Sequence, residues 1–94
     1  MRPYIKIYLN FFGFSEGEVI CENCKSPAND IHHCFFKGMG GRKTFRYEGE
    51  IYDISDIINL IGLCRDCHNK AHRSELTKEY LMLAHKIYMK QNGI

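Results

Sequence analysis

Two Cys-x-x-Cys pairs constrain this chain more than any other feature: Cys21 with Cys24, and Cys64 with Cys67. Four thiolates in two such knuckles suit a tetrahedral zinc ion and fill its shell, the arrangement of a structural site. Thirty-nine residues separate Cys24 from Cys64. One ion would therefore join the first third of the chain to the last, and its binding would add directly to folding free energy. Two redox dithiols are the other reading, but neither pair sits in a thioredoxin-like βαβ context. The fifth cysteine, Cys34, makes the count odd, which argues against a disulfide framework. It reads as a small buried residue.

At 94 residues the chain is expected to be one domain, 1–94. That length is close to the lower limit for a self-sufficient core, where a metal staple is a common remedy. No apolar run approaches membrane-spanning length, and the start lacks a secretory pattern. An intracellular, cytoplasmic setting with no membrane partner is expected, where thiols stay reduced and available to metal. The net charge of +2 is a weak sign of a nucleic-acid partner. Its distribution is more informative. Lys37, Arg42, Lys43 and Arg46 fall in a stretch without acids, and Glu48, Glu50, Asp53 and Asp56 follow in one without bases.

Residues 4–12 are apolar-rich and recur at i, i+3 and i+4, which favours a short helix ended by Gly13; their β-branched and aromatic content leaves a strand open. Residues 26–29 are turn chemistry. Residues 30–36 suit a strand carrying His32 and His33. A hairpin is expected from 45–47 and 51–52 around Glu48-Gly49-Glu50. Residues 60–63 read as a short strand. A helix over 66–73 places Cys64 and Cys67 at its start and His68 and His72 on one face. A last helix is expected from about Thr77, a good N-cap, to about Lys90. Tyr80, Leu81, Leu83, Ala84, Ile87 and Tyr88 should form its buried stripe, with His85 solvated or partly packed outside it.

The string Asp30-Ile31-His32-His33, then Asn59 to Cys67-His68, then His72, resembles the HNH endonucleases. The similarity is to members whose ββα-metal finger is stapled by a four-cysteine zinc, and it covers about residues 21–72. It implies an α+β fold: a small zinc-stapled ββα-metal finger with flanking N- and C-terminal helices. It also implies roles. His33 corresponds to the general base, and His32 and His68 to ligands of a catalytic divalent metal. Asn59 corresponds to the residue that braces the loop between the strands and orients the base. Nine positions separate Asn59 from His68, as the family pattern requires. His72 matches a third ligand in relatives with three histidines; a surface histidine is the other reading.

The implied activity is metal-dependent hydrolysis of DNA phosphodiester bonds, leaving 5′-phosphate and 3′-hydroxyl ends. A neutral imidazole can deprotonate water near neutral pH. A divalent ion neutralises charge on the phosphate and the leaving oxygen. A histidine-only shell favours Mn, Co, Ni or Zn over Mg, which prefers oxygen. His33 and Asn59 lie 26 positions apart, more than in many relatives. The excess fits the Gly-rich basic loop and the hairpin. Lys37, Arg42, Lys43 and Arg46 there could contact DNA phosphates, or form a solvated surface excursion. A homodimer or a protein partner is compatible with this reading, as is a phage or mobile-element origin. The alternatives are a non-catalytic zinc module binding nucleic acid or protein, and an HNH nuclease acting on RNA or branched DNA.

Overall fold

A computed structural model describes residues 2–36 and 41–92. The fold is a small α+β arrangement. Among the described residues it has three α-helices and two two-stranded antiparallel sheets. The first helix, α1 (Pro3–Phe12), carries proline in its first turn, where a missing N–H costs nothing. Gly13 ends it at φ 71°, and the Phe14 N–H closes on the Leu9 carbonyl at 2.9 Å. The helical reading of 4–12 is thus the one realised.

Strand β1 (Asp30–His33) pairs with β4 (Leu60–Leu63), with His32 opposite Ile61 and His33 opposite Leu60. Between them lies the hairpin β2 (Thr44–Tyr47) and β3 (Glu50–Asp53). Its two turn residues, Glu48 and Gly49, both have positive φ, 51° and 84°. That is the backbone twist which two-residue hairpin loops select. A 3-10 turn (Ile57–Asn59) capped by Asp56 leads into β4, and helix α2 (Arg65–His72) follows β4 directly. Thus β1, β4 and α2 form a ββα unit with the hairpin as an excursion between its strands.

Helix α3 (Lys78–Asn92) starts after Thr77, whose hydroxyl accepts the Tyr80 N–H at 3.1 Å. Its buried face differs from the expected stripe. Leu81, Met82, His85 and Tyr88 face inward, whereas Leu83 is 58% exposed and Tyr80 and Ile87 are about half exposed. The inward face runs at i, i+1, i+4 and i+7 and includes His85, which is fully buried rather than solvated. Its Nδ1 lies 2.7 Å from Glu22 Oε1 and its Nε2 lies 2.7 Å from the Ile57 carbonyl. Both ring nitrogens face oxygens at hydrogen-bond distance, so neither is left unsatisfied. A polar residue with every group satisfied occupies the centre of the face, which moves the apolar stripe by one step.

The main core gathers Cys21, Cys34, Phe45, Ile54, Ile61, Leu63, Cys67, Leu81 and Met82. Cys34 is buried, and burial pushes its thiol up to about 12. No helix among the described residues is long and apolar enough to cross a membrane.

Candidate metal centres

The first knuckle is a tight turn bridged between Ile20 and Pro27. The Cys21 N–H donates to the Ser26 carbonyl at 2.7 Å, and Lys25 takes a left-handed φ of 69°. The second knuckle is the start of α2, with Cys64 as its N-cap. Sulfur atoms of Cys21, Cys24, Cys64 and Cys67 lie within 4.8 Å of one another. Cys24 and Cys64 sulfurs are 3.6 Å apart. Tetrahedral zinc–thiolate bonds would set such pairs roughly 3.8 Å apart. Three N–H groups point at the sulfurs: Cys24 N–H to Cys21 at 3.5 Å, Cys67 N–H to Cys64 at 3.4 Å, and the Asn23 side-chain amide to Cys67 at 3.4 Å. Such donors favour thiolate over thiol. Hydrogen bonds from Ser26, above all, bring Cys24 down to about 6, whereas burial pushes Cys67 up to about 12. The cluster fits a metal ion such as zinc, which would complete deprotonation of the buried member.

A second cluster lies beside it. His32 from β1 and His68 and His72 from α2 offer ring nitrogens within 4.8 Å of one another. The Nε2 atoms of His68 and His72 are 3.1 Å apart, close to the roughly 3.3 Å that a tetrahedral ion with metal–nitrogen bonds near 2.0–2.1 Å would set. Burial, then the neighbouring imidazoles, bring His32 down to about 4, so it is a neutral lone-pair donor at neutral pH. Donor type and spacing both fit a divalent transition metal.

Asp30, part of the motif string but without an expected role, orients this cluster. Its Oδ2 lies 2.9 Å from His68 Nδ1, and its two oxygens accept from Arg65 at 3.0 and 3.4 Å. A carboxylate only accepts, so Nδ1 carries the proton and Nε2 presents its lone pair to the cluster. The signal in the sequence was alternation: positions 30 and 32 share a face of β1, across from α2.

His33 follows on the opposite face of the strand, half-buried, its ring 4.6 Å from Tyr4 and edge-on to it. It shares an open cleft of about 290 Å³ with Arg2, Tyr4 and the three clustered histidines. Asn59 is fully buried and braces the segment after β1. Its Oδ1 accepts the Phe35 N–H at 2.7 Å, and its Nδ2 donates to the carbonyls of Phe35 and Ile54 at 3.0 and 2.7 Å.

Of the expected basic contacts, Lys37 lies outside the described residues. Arg42, Lys43 and Arg46 are exposed. Arg42 and Lys78 line both a cleft of about 550 Å³, which His32 also lines, and a neighbouring one of about 470 Å³, which Arg46 joins. Lys78 lies outside the basic stretch and was not anticipated. Among the described residues, Glu48 pairs with Lys86 at 2.8 Å rather than with Arg42, Lys43 or Arg46. No known protein family, curated protein or solved structure matches the chain.

Proposed function

We propose that this chain is an HNH-type, metal-dependent DNA endonuclease. The observation that carries the reading is the convergence of His32, His68 and His72 beside His33, on a strand–helix pair whose helix begins at the cysteine cluster. Four sulfurs suffice for a structural ion, and the imidazoles form a second donor set that runs from the buried His32 to the exposed His72.

In this reading His32, His68 and His72 would hold the catalytic ion, and Asp30 fixes the tautomer of His68. Such an ion would supply positive charge that offsets charge developing on the phosphate. His33 removes a proton from the attacking water, a new phosphorus–oxygen bond forms, and the bond to the 3′-oxygen breaks. Asn59 keeps the backbone after His33 in place through its bonds to Phe35. Zinc held by the four cysteines would act through geometry alone, by fixing where α2 starts.

The test is nicking of supercoiled plasmid by zinc-loaded protein with added Mn²⁺, against His33→Ala. A loss of 100-fold or more is expected, within the range assigned to general-base catalysis, about 10²–10⁴-fold. No cleavage of plasmid or of single-stranded DNA by the parent under any divalent ion would leave a non-catalytic zinc module. Cleavage of RNA or branched DNA in preference would reassign the substrate.

A further inference from the structure

Phe36 is a large aromatic side chain that the fold leaves 53% exposed. It stands at the end of the β1 segment, just beyond the backbone that Asn59 braces. It lines two clefts at once: the one of about 290 Å³ shared with His33 and the clustered histidines, and the one of about 550 Å³ containing Arg42 and Lys78. Its ring lies 8° from parallel with His72 at 5.8 Å, and edge-on to His32 at 5.6 Å. These neighbours fix the ring orientation while half of its surface stays open. Beyond it Lys78 is held over the Phe35 ring at 4.2 Å, at the side of the larger cleft.

A flat apolar surface between two clefts, one with imidazoles and one with cations, matches a strand of nucleotides laid across it. Aromatic rings stack on bases, and cations track the phosphates between them. A base paired within a duplex cannot reach a ring beside its own phosphate without leaving the stack. We propose that Phe36 is a nucleobase-stacking platform next to the scissile phosphate, and that the preferred substrate is single-stranded or locally unstacked DNA. Arg42 and Lys78 neutralise the phosphate of the neighbouring nucleotide. This rests on the nuclease reading and adds the substrate form to it.

The chain contains no tryptophan, so Phe36→Trp places a single indole reporter at the platform. The experiment is anisotropy titration of a single-stranded oligonucleotide and of the same sequence as duplex, using zinc-loaded protein carrying His33→Ala to prevent cleavage. Phe36, Phe36→Trp and Phe36→Leu are compared in that background, with zinc content checked for each. Leucine keeps apolar bulk beside the imidazoles but offers no π face. Expected is tighter binding of single strand than duplex, kept in Phe36→Trp with its fluorescence quenched on binding. Phe36→Leu should lose about tenfold on single strand alone. Equal losses on both forms, no loss, or an unquenched indole overturns the platform while leaving the nuclease reading intact. Absence of binding to either form by the parent overturns both.

Discussion

The Asp30 carboxylate decides which nitrogen of His68 carries a proton, and so which one is available to an ion. Burial works to raise this carboxyl, but hydrogen bonds from His68 and Arg65 outweigh it and hold it below the ordinary carboxylate value. Asp30→Asn removes the charge and permits the amide to donate to Nδ1 instead. Mn²⁺ affinity of the histidine site should then fall about 10–100-fold, the usual cost of losing a partner behind a ligating histidine. Calorimetric titration of zinc-loaded protein reads this, with cysteine-bound zinc unchanged; unaltered Mn²⁺ affinity would remove Asp30 from the site. His32 gives a pH signature. Its unfolded value is near 6.5 and its folded value about 4. Between these the unfolded chain binds a proton that the folded chain does not, so stability falls as pH drops from about 6.5 to 4. Urea denaturation across that window should show a steeper pH slope for the parent than for His32→Gln. Equal slopes would mean that His32 takes up its proton in the folded state.

At the scale of elements, β4 depends on a close approach. A methyl group on Gly62 would lie 2.8 Å from the Tyr8 hydroxyl and 3.0 Å from Val19. Tyr8 cannot simply yield, because its hydroxyl donates to Glu22 at 2.7 Å. Gly62→Ala should therefore cost about 1–3 kcal/mol in urea denaturation, the usual range for overpacking; a neutral result would mean that α1 shifts freely. The order of elements was legible because each had a local cause: Gly13 and Thr77 mark helix ends, and Glu48-Gly49 marks the turn. The inward face of α3 was not legible. Hydropathy counts His85 as polar and cannot register that Glu22, sixty-three positions away, waits for it. The sulfur and imidazole groupings were legible because their spacing lies within two short segments. The places of Phe36, Lys78 and Asp30 beside the imidazoles and clefts were not legible, because they come from neighbours brought by folding.

For the whole molecule, Glu22 is the junction. It lies inside the first cysteine knuckle, yet its side chain accepts from Tyr8 on α1 and from the Gly62 N–H on β4, and pairs with His85 on α3. Its own N–H donates to the Gly62 carbonyl at 2.9 Å. The knuckle thus positions the residue on which both flanking helices converge. Loaded with zinc at its cysteine cluster, the molecule should unfold as a unit when the ion is removed, rather than fray at one corner. With a strong chelator, circular dichroism should lose the signal of all three helices, and Cys34 should become as reactive to maleimide as the four cluster thiols. A native-like spectrum after complete zinc loss would show that the core stands alone.

The hairpin between β1 and β4 has one more consequence. Both ends of that excursion are pinned, by pairing of β1 with β4 and by the sulfur cluster behind them. Lengthening a loop between fixed ends is cheap, about 0.6 kcal/mol for each doubling. The segment is therefore a port at which new surface can be grafted or exchanged while the imidazoles keep their places. The length of that excursion and the placement of the imidazoles are separately adjustable properties of the same short chain.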